Sequence, residues 1–307
     1  MSASPRSWPA EPAAGAVGRQ AWPWLLLAPG LSWLLLLFAL PLLGLVPLSL
    51  SERSDRFRLL FRFTGQLTNY REALQEHGGV LLQSFIYTGA STLLALAIGY
   101  PLACFIAFRG GRWRGLLTGL VVMPFFTAYL VRTLAWSTLL ADRGPVLALL
   151  RWLGLVGPLE TLGVLQDGRL LNTAAAVVGG LAYNALPFLV LPLVVSLERV
   201  GPALLEAAED LHAGPWMILR RLIWPLSRPG LLAGLTLSVV PSVGDLVNGQ
   251  YLGGPNNRML GNAIESLVLV QGQLPRAAAL TVLLLLLLGV MVTLALRGRG
   301  SGEPLLP

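Results

Sequence analysis

A chain of 307 residues with 55% apolar and only 12% charged side chains and a mean hydropathy of +0.69 is not a water-soluble domain, in which about 25% of residues carry charge. The net charge is +7 and every basic residue is arginine, so the missing lysine excludes a standard Walker A phosphate loop and Schiff-base chemistry. With two histidines, His77 and His212, and one cysteine, Cys104, neither an HExxH or Cys/His metal centre nor an intrachain disulfide can form.

A helical membrane span needs about 20 apolar residues, and several runs reach that length. The short alternating segments of a membrane β-barrel are missing. In chain order, residues 1–20 are a Pro- and Ala-rich tail. Residues 21–50 carry no charge and are too long for a signal-peptide core, so they predict an uncleaved first transmembrane helix, about Trp24–Leu48. Pro29, Pro41 and Pro47 are expected to bend it. Residues 51–79 form a long outer loop in which five arginines alternate with acids.

The remaining five helices lie within residues 80–297. They are Val80–Phe108, Leu116 to about Leu140, Leu170–Leu197 (with Pro187 and Pro192), Pro229 to about Val247, and Ala277–Leu296. Ala141–Arg169 and Asn248–Arg276 are read as outer loops, the second rich in turn formers. Residues 298–307 are a second tail. The fold class is therefore all-α, a polytopic membrane protein with six transmembrane helices. Six spans place both termini on one side. Arg109, Arg112 and Arg114 in a short acid-free loop make that side cytoplasmic. The arginines fit membrane-lipid headgroups and topology, so nucleic acid is not expected as a partner.

An ionisable residue inside a span is a functional candidate. Asp245 is the sole acid there, and its carboxylate suits an organic ammonium. Its alternatives are a structural pair with Arg132 or exposure at the outer end of the fifth span. Tyr129, Arg132 and Trp136 share a helix face at i, i+3 and i+7, where the aromatic rings suit a cation or a membrane-interface belt. Tyr183 and Asn184 are further candidates for a pathway lining. A single intramembrane aspartate is one too few for paired-aspartate proteolysis.

The segment Glu198–Arg228 is a charged island between two apolar runs. Pro202 suits the first turn of a helix. Leu204, Ala208 and Leu211 follow on one face, with Glu206, Glu209 and Asp210 opposite. His212-Ala213-Gly214 breaks the helix. Pro215 opens a second short helix carrying Arg220 and Arg221, which Pro225 is expected to end. An amphipathic interfacial helix is one reading. A surface for a protein partner is the other, favoured because three carboxylates sit poorly against an anionic leaflet.

At these residues the chain resembles the inner-membrane permease of an ABC importer. Glu206-Ala207-Ala208, followed seventeen residues later by Pro225, resembles that family's EAA loop, with Asp210, Leu211, His212 and Gly214 inside it. Tyr87-Thr88, Ile98-Gly99-Tyr100-Pro101, Met123–Trp136, Leu186–Glu198, Pro225–Gly234, Val243–Val247 and Tyr251–Gly254 are similar to the spermidine/putrescine branch. The resemblance covers roughly residues 65 to 295. It implies a type I importer permease (MetI-like) fold and an EAA loop that docks on separate ABC ATPase subunits. It also implies a second permease subunit, a periplasmic substrate-binding protein, and a bacterial inner-membrane location. No cofactor is implied for this chain, because ATP and Mg are used by the ATPase. The family's loop has glycine where this chain has His212, so the turn is expected to shift two residues, to Gly214. An importer for another solute (ferric iron, sulfate, an opine) is the runner-up, and a self-sufficient secondary transporter the alternative from another class.

Overall fold

The computed structural model describes residues 22–53 and 61–297. The two expected tails and residues 54–60 of the first outer loop lie outside the described residues. Helix α1 runs through Trp22–Leu34, a π turn at Leu35–Ala39, and Leu40–Ser49. The π turn sits between the proline-containing segments, a common place for a helix to absorb a lost backbone bond. Strands β1 (Ser51–Arg53) and β2 (Phe61–Phe63) form a small antiparallel hairpin, with Ser51 opposite Phe63.

Helix α2, Thr68–Arg109, has 42 residues, a length of about 63 Å at 1.5 Å per residue. That is twice the hydrocarbon thickness. Its first turns were expected in the outer loop. They are helical and anchored instead: Asn69 Nδ2 donates to the Ser49 and Ser51 carbonyls, both at 2.8 Å, and Arg276 pairs with Glu72 and Glu76.

The third expected span is broken. Helix α3 (Gly111–Phe126) and helix α4 (Tyr129–Leu139) meet at 95°. The cause is local: Met123–Phe126 tightens into a 3-10 turn containing Pro124, and Thr127 and Ala128 are extended. Short helices α5 (Pro145–Trp152) and α6 (Val156–Thr161) follow.

Helix α7, Ala174–Glu198, is capped by Thr173, whose side chain accepts the Ala176 N–H. It is the central helix, packed between α2 and the helix after the charged island. Helix α8 is Pro202–Asp210. Helix α9 runs from Pro215 to Val243 as one 29-residue unit. Pro225 therefore does not end a short helix, as expected from the sequence. A π turn at Leu219–Ile223 accommodates its missing N–H, and the second arm of the island continues into the fifth span.

The turn-rich stretch after Val243 is not a solvated loop. It folds into α10 (Val247–Tyr251) and α11 (Leu260–Val270). Leu252, Met259, Leu260 and Leu267 are fully buried. Helix α12, Leu274–Arg297, closes the bundle. Among the described residues, five helices are long and apolar enough to cross a membrane, and the bent pair α3–α4 makes six when counted as one span.

Packing follows small residues. On α9, Gly230, Gly234, Ser238 and Ser242 recur every four residues, a small-residue stripe of the kind that lets membrane helices approach closely. A Cβ on Gly230 would lie 2.4 Å from Ser196 Cβ and 2.5 Å from the Pro192 carbonyl of α7. On the other side of α7, a Cβ on Gly99 would meet Leu189 at 2.9 Å. Helix α1 packs along α12, is tied at its end to α2 through Ser49, and exposes Leu27, Leu34, Leu37 and Leu43, as suits a lipid-facing helix.

Candidate functional site

Two features carry chemistry: the α8–α9 hairpin and a polar cavity beside the breaks in the third and fifth spans. In the hairpin, Glu206, Ala207, Glu209, Asp210, Leu211 and His212 are exposed. The inward face is Leu205 and Ala208, with Leu205, Ile218 and Leu219 packed on the cluster of Ile106, Leu193, Leu197 and Ile223. The sequence expectation of Leu204, Ala208 and Leu211 as the apolar face is thus off by one position. Leu204, Leu211, Trp216 and Met217 are exposed beside the carboxylates. At the hairpin's base, Arg114 pairs with Glu198, tying the α2–α3 connection to the end of α7.

The turn is not shifted to Gly214. His212 itself takes the left-handed conformation, with φ 57°. Ala213 N–H donates to Ala208 O at 3.0 Å and His212 N–H to Glu209 O at 2.8 Å, which is a Schellman closure. Gly214 has φ −66° and begins the next helix. Histidine is among the side chains that enter this region several-fold more often than most, so the turn keeps its place and carries a modest strain. His212→Gly is expected to slow amide exchange at Ala213 by about 2- to 5-fold, a stabilisation of about 0.5–1 kcal/mol. Unchanged or faster exchange, read by mass spectrometry, would contradict the strain.

The cavity has a volume of about 300 Å³. Among its lining groups are Tyr129, Asn184, Phe188, Ser238, Ser242 and Asp245. Three of the five pathway candidates therefore meet. Tyr129 opens α4 just after the 95° bend. Asp245 lies past the end of α9, in the break before α10, rather than inside a helical span. It is only 8% exposed, so the alternative of simple solvent exposure does not hold. Arg132 forms no ion pair with it. The guanidinium lies 5.4 Å from the Tyr129 ring centroid and 5.8 Å from that of Phe125, bracing the bend on either side.

The Asp245 carboxylate accepts from the Tyr129 hydroxyl and from Asn248 N–H at 2.6 Å. Asn248 Nδ2 donates back to Tyr129 Oη at 2.7 Å. This network joins the broken third span to the break that ends α9. Trp136 and Tyr183 do not line the cavity. They form an edge-on pair with centroids 5.4 Å apart, and Trp136 packs on the cluster around Leu147, Leu165 and Leu181. Ser238, Ser242, Phe188 and Asn248 were missed by sequence reasoning. The four-residue recurrence on α9 is the signal that points to the two serines. Among the described residues, no group of three or more His, Cys, Asp or Glu side chains is placed to hold a metal.

A helical membrane bundle with broken spans around a polar cavity, and one exposed charged hairpin, defines a transmembrane pathway subunit rather than an enzyme. The chain belongs to the family described as binding-protein-dependent transport system inner membrane component, whose model matches residues 99–299. It is 34% identical over 261 residues to the spermidine/putrescine transport system permease protein PotB of Escherichia coli (strain K12), covering 85% of this chain and 91% of that protein. The protein of the same name from Haemophilus influenzae is 32% identical, over 85% and 88% of the two chains. The fold matches a crystal structure of a bacterial ABC transporter involved in the import of the acidic polysaccharide alginate, with a TM-score of 0.65, 17% identity, and 92% and 97% of the two chains covered. The chain is a multi-pass permease subunit of an ABC importer in a bacterial inner membrane.

Proposed function

We propose that this permease carries polyamines, and that it does so as one of two permease subunits served by a periplasmic binding protein and driven by separate ABC ATPase subunits. The cargo assignment is supported by the likeness to spermidine/putrescine permeases over most of both chains. The docking assignment rests on one observation above all: the α8 helix presents Glu206, Glu209 and Asp210 outward beside exposed Leu211 and Trp216. An acidic surface with apolar anchors suits a groove on a protein partner better than an anionic leaflet. On this reading both termini and the hairpin lie on the cytoplasmic side, with Arg109, Arg112 and Arg114, and α10 and α11 lie toward the opposite face.

The test is reconstitution of the permease with its ATPase, second permease and binding protein in liposomes. Putrescine and spermidine are expected to stimulate ATP hydrolysis and to accumulate inside. Stimulation by ferric iron, sulfate or an opine alone would replace the cargo assignment. Accumulation without any ATPase would replace the class.

A further inference from the structure

We infer that the cavity between α4, α7 and α9 is a binding site for one primary ammonium end of the cargo, with the Asp245 carboxylate as its counter-ion. The inference rests on the polyamine reading only for the identity of the cargo.

The hydroxyl hydrogens lining the cavity are committed elsewhere. Ser242 Oγ donates to Ser238 O at 2.7 Å. Ser238 Oγ donates to Gly234 O at 2.8 Å. The Tyr129 hydroxyl donates to Asp245. Asn184 Nδ2 donates to Gly180 O at 3.0 Å, which orients the amide and leaves Asn184 Oδ1 as a buried acceptor without a partner. Asn184 is 93% buried, being 7% exposed, and it lines the cavity. A buried acceptor left unmade is costly and normally finds a donor. Of the polar groups on the wall, Asp245 and Ser242, each 8% exposed, and Asn184, 7% exposed, keep accessible surface, while Ser238 is fully buried; the Asp245 carboxylate, with Ser242 beside it, is the acceptor the cavity offers a ligand.

The charge agrees with the valences. Asp245 receives only neutral donors, the Tyr129 hydroxyl, the Asn248 side-chain amide and main-chain N–H groups at the start of α10. It takes part in none of the ion pairs among the described residues. Arg132, the nearest cation on α4, is held over the Phe125 and Tyr129 rings and does not line the cavity. A buried carboxylate with no cationic partner is complementary to a group that carries positive charge and N–H donors. The Phe188 ring is on the same wall, packed against Phe125, and aromatic rings attract such a cation. An anionic cargo would meet the carboxylate and find no uncommitted hydroxyl hydrogen.

The site also couples cargo to conformation. Tyr129 and Asp245 sit on either side of the breaks in the third and fifth spans. An arriving ammonium competes with the Tyr129 hydroxyl for the same carboxylate, so binding loosens the link between α4 and the α9–α10 break.

Uptake of radiolabelled putrescine by the full reconstituted complex tests this, with Asp245→Asn and Asn184→Leu compared to the unaltered chain. Asp245→Asn is expected to lower uptake by about 30-fold and Asn184→Leu by about 5-fold, with both complexes still co-purifying in normal amounts. Uptake within twofold of normal for both would overturn the site. If Asp245→Asn fails to assemble, Asn184→Leu decides alone, and normal uptake there overturns it. If the unaltered complex imports a different ammonium-bearing solute and both variants reduce that import, the site stands and the polyamine cargo falls. If it imports an anion, both fall.

Discussion

Gly230→Leu is expected to abolish accumulation of the protein in the membrane. Gly230 lies where α9 crosses α7, and a Cβ there would be 2.4 Å from Ser196 Cβ and 2.5 Å from the Pro192 carbonyl. The second atom is backbone, so no side-chain rotation relieves the clash. Separating the helices would also unmake the bond from Ser196 Oγ to Leu226 O at 3.1 Å and open the cluster of Leu189, Leu193, Ile223 and Leu231. Overpacking a single side chain costs about 1–3 kcal/mol. A whole crossing forced apart costs more than that, against a typical total stability of about 5–15 kcal/mol. Gly289→Leu is the matched control, because a Cβ there has nothing within 4 Å. Membrane levels read by immunoblot should fall at least about tenfold for the first and stay normal for the second. Equal levels would show that α9 has another way to pack.

Glu206→Ala is the second large effect, and it acts on assembly, not on the fold. Glu206 is exposed on α8 and makes no hydrogen bond or ion pair among the described residues. Its removal is expected to change stability by less than about 0.5 kcal/mol, as for surface positions in general. In a docked complex the same carboxylate would be desolvated against the ATPase, where losing one partner of a charged contact costs about 2–5 kcal/mol. The expected result is a normally inserted permease whose ATPase dissociates, with binding-protein-stimulated ATP hydrolysis and uptake both down by about 30-fold or more. Glu160→Ala, in α6, should leave both unchanged. Normal co-purification of the ATPase with Glu206→Ala would remove α8 as the docking surface.

Much of this molecule was legible from the order of its side chains. The long apolar runs of α1, α7 and α12 leave no alternative to membrane helices, since any other backbone arrangement would strand polar groups in lipid. The absence of lysine excluded a standard Walker A loop from this chain. The acidic first arm of the hairpin follows directly from the i, i+3, i+4 spacing of Glu206, Glu209 and Asp210. What failed did so where local signals compete with packing. Pro225 reads as a helix end, yet a π turn carries the helix through it. YLGGPNNRMLGN reads as a solvated loop, yet its glycines serve close approach: a Cβ on Gly253 would sit 2.3 Å from the Asn257 carbonyl, and one on Gly261 2.5 Å from the Gly244 carbonyl. His212 reads as a misplaced glycine, yet it holds the left-handed turn itself.

The sequence alone determined the class, the number of apolar runs and the exposed hairpin, because hydrophobic length and helical periodicity are properties of neighbours in the chain. The tertiary structure decided where the cavity lies and what faces it. Tyr129, Asn184 and Asp245 are brought together only because the third span breaks after Phe126, the fifth ends at Val243, and glycine stripes let α7 lie close to α9. Those are long-range packing outcomes, set by which surfaces fit, and no local pattern encodes them.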